Sequence, residues 1–289
     1  MKEIVVLSGK GGTGKTVIVA SFAALAQDKV MADCDVDAAD LYLLLQPGTK
    51  KTEEFWSGKT AFIDKKFCTG CGVCEEVCRF EAIKNFKVDP ISCEGCGFCF
   101  HVCPEKTIRM RDNLAGSWFI SDTRYGPLVH AHLGIAQENS GKLVAVVRQN
   151  ARRIAEGQGL SYIISDGPPG IGCPVISSLS GANLALLVTE PTLSGMHDLD
   201  RVLGVCSHFG VPALVCINKY DLNEENTRQI EDFCQRRGVE VISRLPFDNV
   251  VTEALVQGLP VVEYSEDGIA RDIETMWQRI SAVLAGARK

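Results

Sequence analysis

A glycine-rich segment near the N-terminus constrains the fold of this chain more than any other feature. It reads Gly9-Lys10-Gly11-Gly12-Thr13-Gly14-Lys15-Thr16 and matches the eight-residue phosphate-binding loop pattern in full. A short apolar run, Glu3 to Leu7, precedes it, and a helical pattern from about Lys15 to Gln27 follows it. Val30 to Ala32 then has the composition of a second strand. This order predicts a βαβ unit, and therefore a parallel sheet with a right-handed crossover.

The residue types in this loop suit a nucleotide phosphate and Mg²⁺. Glycines let backbone N–H groups close around phosphate oxygens, and the N-terminus of the following helix favours their negative charge. Lys15 is expected to reach the β- and γ-phosphates, and the Thr16 hydroxyl is expected to bind Mg²⁺. We predict that Gly9 to Thr16 bind ATP. A glycine-rich turn without a ligand is disfavoured because a strand and a helix flank the loop.

The rest of the chain has an α/β pattern outside one central segment. Gly141 to Glu156 is predicted to be a helix, and Ser117 to Ile120 is predicted to form a hairpin with Pro127 to Ala131. Further strands are predicted at Tyr162–Ser165, Leu184–Thr189, Ala213–Ile217, Val239–Ser243 and Pro260–Val262. Near-continuous apolar strands that alternate with helices indicate an α/β fold with a mostly parallel sheet covered by helices on both faces.

Eight of the 13 cysteines form two runs of the same spacing in the central segment. The runs are Cys68-x2-Cys71-x2-Cys74-x3-Cys78 and Cys93-x2-Cys96-x2-Cys99-x3-Cys103-Pro104. Each resembles the cysteine run of bacterial two-cluster ferredoxins, in which the fourth cysteine of a run binds the other cluster. The resemblance implies one [4Fe–4S] cluster on Cys68, Cys71, Cys74 and Cys103, and a second on Cys78, Cys93, Cys96 and Cys99.

These runs predict a small α+β ferredoxin-like domain at residues 60–113, inserted in a discontinuous domain of residues 1–59 and 114–289. The first run departs from the pattern, with Arg79 where proline usually stands. Zinc is the alternative, but its ligands usually come as separated pairs. Cys173 lies seven residues after Asp166, a spacing that resembles that of a cluster cysteine in the nitrogenase iron protein. The resemblance makes Cys173 a candidate cluster ligand, but a packing role is preferred. Cys34, Cys206, Cys216 and Cys234 are expected to be small core residues.

A second lysine, Lys10, directly follows the first glycine of the loop. In this the chain resembles the deviant Walker A ATPases, a group that includes MinD, ParA and the nitrogenase iron protein. The resemblance implies an ATP-dependent homodimer, or a heterodimer with a paralogue, in which Lys10 touches the nucleotide of the partner subunit. A solvated Lys10 is the alternative.

Other positions match the same family in the expected order. Asp35, in the run Asp33-Cys34-Asp35-Val36-Asp37, matches the residue that orients the attacking water, and Asp37 is a weaker match. Helix capping is the alternative role for either aspartate. Asp166, at the end of an apolar strand, is expected to hold Mg²⁺ together with Thr16. The family uses an asparagine at the position of Asn218 to bind adenine, and Leu245 to Asp248 resembles the loop beside the base.

These patterns together predict a slow, partner-stimulated ATPase that converts ATP and water to ADP and phosphate. We expect ATP-dependent dimerisation to be coupled to electron transfer to or from a redox partner protein. Two alternatives are an iron–sulfur assembly or carrier ATPase and a MinD- or ParA-like spatial regulator. The cofactors expected are ATP, Mg²⁺ and two [4Fe–4S] clusters.

Charge and hydropathy bear on the expected partners and cellular location of the protein. A formal charge of −6 argues against a dedicated nucleic-acid binder, because phosphate neutralisation needs a basic face. No apolar run reaches the roughly 18–20 residues that cross a bilayer, and the first apolar stretch is too short for a signal peptide. The last helical pattern, from Ile269 to Leu284, is expected to pack in the core and not on a membrane. We expect a cytoplasmic protein.

Overall fold

The computed structural model describes residues 1–135, 137 and 140–286, which form two compact units. The sheet unit contains Met1–Thr52, Trp118–Ala131 and the chain from Gly141 onward. The cysteine unit contains Glu53–Ser117 and the described residues from His132 to Ser140. The predicted insertion, 60–113, falls within the range of the cysteine unit; its assignment as a ferredoxin domain stays a prediction.

Strands and helices alternate through most of the chain. The strands are β1 Lys2–Ser8, β2 Lys29–Asp33, β3 Gly48–Ile63, β4 Ile83–Lys84, β5 Lys87–Val88, β6 Ile108–Thr123, β7 Gly126–Leu133, β8 Tyr162–Pro169, β9 Leu184–Thr189, β10 Ala213–Asn218 and β11 Glu240–Leu245. The helices are α1 Lys15–Leu25, α2 Leu41–Leu45, α3 Val73–Glu76, α4 Phe98–Val102, α5 Ser140–Gln158, α6 Cys173–Leu179, α7 Leu193–His208, α8 Glu224–Arg237, α9 Asn249–Val256, α10 Val261–Tyr264 and α11 Ile269–Gly286. In the described part of the chain, no helix is both long and apolar enough to cross a bilayer.

The main sheet has the strand order β11-β10-β9-β1-β8-β2-β7-β6-β3. From β11 to β7 every neighbouring pair runs parallel. The central strand β1 has Ile4 opposite Ile164 on one side and Leu184 on the other. The predicted α/β fold with a mostly parallel sheet is confirmed.

Helices cover both faces of the sheet because successive strand residues point to opposite sides. Ile4 and Val6 belong to a core that includes residues of α1 and α11. Val5 and Leu7 belong to a second core, with residues of α6, α7 and α8. A strand buried on both faces has no polar alternation, which is why these strands read as continuous apolar runs.

The predicted strand at Pro260–Val262 is wrong, because Val261–Tyr264 forms the short helix α10. The carbonyl of Pro260 accepts hydrogen bonds from the N–H groups of Glu263 and Tyr264. Proline has no N–H for a sheet ladder, and its fixed φ suits the start of a helix.

Strand β3 was not predicted. It begins at Gly48, where the apolar pattern of the preceding residues stops. Most of its first seven residues are polar, and all seven are exposed. The predicted hairpin after it is confirmed in outline, because β6 and β7 are neighbours in the sheet and only Arg124 and Tyr125 separate them.

The cysteine unit has little apolar material at its centre. Its core cluster consists of Ala61, Ile63, Cys74, Ile83, Cys99 and Ile108, with four further cysteines packed against it. The short strands β4 and β5 pair antiparallel, and α3 and α4 have only four and five residues. Units this small with so small an apolar core are usually stabilised by disulfides or a metal.

A buried ion pair joins β1 to α5 in the sheet unit. Arg148 donates a hydrogen bond from Nε to Glu3 Oε1 at 2.6 Å, and both side chains are less than a tenth exposed. Arg148 also donates to the carbonyl of Ser180 at 2.9 Å, while Arg152 binds the second Glu3 oxygen at 2.7 Å. Such a pair affects stability mainly because removal of one member leaves the other charge buried without its partner.

We expect Arg148→Met to lower the free energy of unfolding by about 3 kcal/mol, because it leaves the Glu3 carboxylate buried with a single partner. Urea unfolding followed by circular dichroism measures the change. The matched control is Arg228→Met, which removes the pair with Glu224 on the surface of α8, where both side chains are about 70% exposed. This control should change stability by less than about 1 kcal/mol. Equal losses in the two variants would contradict the prediction.

Candidate functional site

A cavity of about 890 Å³ lies in the sheet unit, beside the glycine-rich loop. Its lining includes residues at the carboxyl ends of β8, β10 and β11, which is where ligands bind in open parallel sheets. The polar lining includes Lys15, Thr16, Asp35, Asp37, Asn218, Lys219 and Asp248. The apolar lining includes Leu43, Val251, Leu255, Ile269 and Ile273.

The loop adopts the backbone path that its glycines allow. Gly14 has a φ of 90° at the start of α1, and a Cβ there would lie 2.5 Å from Asn218 Nδ2. A Cβ on Gly9 would lie 2.2 Å from the Cβ of Asp198. Both positions therefore require glycine, one because of its backbone conformation and both because of a neighbouring side chain.

Thr16 and Asp166 lie together where Mg²⁺ was predicted. The Thr16 side chain lies near the Asp166 carboxylate, and Asp166 is 1% exposed. Burial raises the pKa of Asp166 to about 7, while Lys15 and the Thr16 hydroxyl act in the opposite direction. Among the described residues, Asp166 Oδ1 has no hydrogen-bond partner although it is buried. A carboxylate oxygen without a partner next to a threonine hydroxyl fits a hard cation such as Mg²⁺.

Two more aspartates lie close to this pair. Burial raises the pKa of Asp35 to about 6, and Lys15 lowers it in part. Asp33 is fully buried, and its pKa is raised well above the usual range by burial and by the charge of Asp166. Its carboxylate accepts hydrogen bonds from the N–H groups of Asp35 and Leu41, at 3.2 and 3.3 Å. Asp33 thus holds the turn that carries Asp35, a role that the sequence analysis missed.

Lys10 is paired within its own chain. Its Nζ lies 3.2 Å from Glu190 Oε2 and 3.5 Å from Thr192 Oγ1. The other oxygen of Glu190 accepts a hydrogen bond from Lys219 Nζ at 2.6 Å. The two lysines hold the pKa of Glu190 below its usual range despite partial burial. Glu190 was not predicted, because it directly follows β9 in a part of the chain that carries no recognised motif.

Asn218 lies in the cavity with its side chain engaged by the loop. Its Nδ2 donates to the carbonyl of Thr13 at 2.9 Å, and its Oδ1 accepts from the N–H of Lys219 at 3.0 Å. Close by, Asp221 Oδ1 accepts from the N–H of Phe247 at 2.7 Å and so positions the loop of Leu245 to Asp248. The adenine contact of Asn218 stays a prediction.

Two cavities of the cysteine unit divide the eight cysteines into two sets of four. The larger of these two, of about 530 Å³, is lined by Cys78, Cys93, Cys96 and Cys99. The smaller, of about 10 Å³, is lined by Cys68, Cys71, Cys74 and Cys103. All eight thiols are free. Across the described ranges, no group of three or more His, Cys, Asp or Glu side chains is placed to hold a single metal ion.

The five remaining cysteines lie in the sheet unit. Cys173 is exposed at the start of α6. Cys34, Cys206, Cys216 and Cys234 are buried, and burial raises the pKa of each thiol. They have the surroundings of small core residues.

Known proteins resemble this chain along most of its length. An uncharacterized protein of Methanocaldococcus jannaschii is 32% identical over 282 residues, which cover 96% of each chain. The putative septum site-determining protein MinD of Oltmannsiellopsis viridis is 25% identical over 270 residues, 90% of this chain and 69% of that protein.

Solved structures share the fold at lower identity. The cell division ATPase MinD of Pyrococcus furiosus superposes with a TM-score of 0.58 at 21% identity, over 98% of this chain and 99% of that one. MinD of Pyrococcus horikoshii, solved with Mg-ADP, gives 0.57 at 20% identity, over 100% and 98% of the two chains. A family model described as the CobQ/CobB/MinD/ParA nucleotide binding domain matches residues 4–261. The chain therefore belongs to the CobQ/CobB/MinD/ParA family of nucleotide-binding proteins.

Proposed function

We propose that this protein is an ATP-hydrolysing switch of the MinD/ParA type. The observation that carries the proposal lies beside the phosphate-binding loop, where Thr16 and Asp166 lie close together and one buried oxygen of Asp166 has no hydrogen-bond partner among the residues that the structure describes. The Mg-ADP in the related MinD structure and the ATP in a structure of McdA from Cyanothece support the choice of ligand.

Each residue of the site has a distinct task in this proposal. Lys15 and the backbone of the loop bind the β- and γ-phosphates, and Thr16 and Asp166 hold Mg²⁺, which neutralises phosphate charge. Asp35 orients the attacking water through a hydrogen bond. Lys10 reaches the nucleotide of a partner subunit only after it leaves Glu190, since the two form an ion pair within one chain.

The relatives bear on what the switch does. From the sequence alone, electron transfer is the first expectation and a MinD- or ParA-like regulator is one of the alternatives. Relatives with a role in their names are septum site-determining proteins, so the comparisons favour the regulator. Dimerisation with ATP, stimulation by a partner and a cytoplasmic location stay predictions.

We expect Asp35→Asn to retain ATP binding but to lower the rate of hydrolysis by about 100-fold or more, since the amide is a poor acceptor for the proton of the attacking water. Phosphate release measures hydrolysis, and a fluorescent ATP analogue measures binding. Asp37→Asn is the matched control, because Asp37 lines the same cavity but is exposed. Loss of hydrolysis in the control alone would assign the water to Asp37 instead.

We expect Asp166→Asn to raise the Tm of the nucleotide-free protein at pH 8, because it removes a buried charge that faces Asp33. The same variant should lose the rise in Tm that Mg-ATP produces in the wild type. Differential scanning fluorimetry with and without Mg-ATP measures both effects. Asp232→Asn, on the exposed face of α8, should change neither. A lower Tm together with retained Mg-ATP stabilisation would contradict the assignment of Asp166.

We further propose that the cysteine unit holds two [4Fe–4S] clusters. Support comes from the two cavities that are lined by four cysteines each, because these are the two sets implied by the ferredoxin resemblance. The four thiolates of such a cluster each bind a different iron of a cube, so they need not converge on one point as zinc ligands do. The small apolar core of the unit is also in keeping with metal-dependent stability. When bound, the clusters supply one-electron transfer.

We expect the anaerobically purified protein to contain about eight irons per chain, from two clusters of four. Cys71→Ser should lower the iron content to about half or less, because it removes one ligand of one cluster. Cys173→Ser is the matched control, since both cysteines are exposed. Iron analysis and the visible absorption spectrum give the result. A colourless, iron-free wild type would overturn the proposal, and loss of iron in Cys173→Ser would add that residue to the ligands.

A further inference from the structure

The two halves of the cysteine unit repeat each other at an interval of 25 residues, as Cys68 and Cys93 do. The backbone follows the same repeat. Gly72 and Gly97 have φ values of 81° and 74° immediately before α3 and α4. Glu81 and Lys106 adopt φ values of 51° and 52°. The two cysteine runs therefore share their backbone conformation at these positions.

The repeat breaks just after the fourth cysteine of each run. The first run continues with Arg79 and Phe80, which line the larger cavity. The second continues with Pro104 and Glu105, which line the smaller one. Glu94 also lines the larger cavity, so the charged residues in that lining are one cation, Arg79, and one anion, Glu94. Among the described residues, Glu105 is the one charged residue that lines the smaller cavity.

This difference in charge acts on any redox group that the cysteines hold. A cation beside an iron–sulfur cluster stabilises its reduced, more negative form and raises the reduction potential, and an anion lowers it. Arg79 therefore raises the reduction potential of the larger site and Glu105 lowers that of the smaller site, so both widen the difference in potential. Two groups oppose them. Glu94 lowers the potential of the larger site. The Thr107 hydroxyl, 3.5 Å from Cys103 Sγ, raises the potential of the smaller site, and the repeat has Ala82 at the matching position of the larger site.

The charges of the two linings differ in the proposed sense. Arg79 offsets Glu94 in the lining of the larger cavity, whereas among the described residues no cation in the lining of the smaller cavity offsets Glu105. Arg79 and Glu105 are both exposed, so dissolved ions screen them in part. The difference between the sites should therefore be largest at low ionic strength and shrink as salt is added.

We propose that Arg79 raises the reduction potential of the site of Cys78, Cys93, Cys96 and Cys99 above that of the other site. A one-electron donor then reduces this site first, and the donor is oxidised by one electron. The proposal rests on the proposed presence of two [4Fe–4S] clusters. It assigns an order to the two sites and names Arg79 as the residue that sets it.

A redox titration of the anaerobic wild-type protein, with dithionite and mediators and followed by electron paramagnetic resonance, gives the two midpoint potentials. Arg79→Gln should lower the higher midpoint and narrow the separation, whereas Arg79→Lys should preserve it because the charge remains. Arg109→Gln is the matched control, since Arg109 is exposed and lies outside the lining of both cavities. Glu105→Gln should raise the lower midpoint, so it tests the same charge difference if Arg79→Gln does not fold.

The outcomes separate this inference from the function on which it rests. A wild type without iron or cluster signals would remove the proposed clusters themselves. Two cluster signals whose midpoints stay unchanged in both Arg79→Gln and Glu105→Gln would overturn the role of Arg79 and leave the clusters intact. A separation in the wild type that does not narrow with added salt would also count against the role of exposed charges.

Discussion

The burial of the Asp166 carboxylate beside Lys15 is the interaction on which the nucleotide site depends. A buried carboxylate is costly unless it is paired, and here Lys15 and the Thr16 hydroxyl offset only part of the cost. Among the described residues, one Asp166 oxygen has no hydrogen-bond partner, and Asp33 adds a second buried carboxyl group nearby. The fold thus gathers carboxyl groups where a cation is expected, at a cost to the stability of the nucleotide-free protein.

The glycine loop and the lysines around it show how the sheet assembles this site. Strand β1 ends at Ser8, and α1 begins at Lys15, so the loop between them lies against Asn218 at the end of β10. The ion pair of Lys10 with Glu190, together with the contact of Lys219 on the same carboxylate, links the loop to the end of β9. If nucleotide binding moves the Glu190 carboxylate, the contacts of both lysines change.

Much of this fold was predictable because its signals are local. The phosphate-binding loop is a contiguous motif, and strands buried on both faces are apolar at every position, as in Leu184–Thr189. Prediction failed where the local signal was weak or ambiguous. Strand β3 begins with exposed, mostly polar residues and is defined by its neighbour in the sheet, and Pro260–Val262 is apolar enough for a strand but starts a helix.

The residue types of the site, the repeat of the two cysteine runs and the alternation of strands and helices can be read from the chain alone, because each depends on neighbours within a few residues. Folding is what brings Glu190 to Lys10 and places the Asp33 carboxylate against the turn that carries Asp35. The physical reason is that ion pairs and buried hydrogen bonds act over a few ångströms in space. Which distant residues come that close depends on how the chain packs.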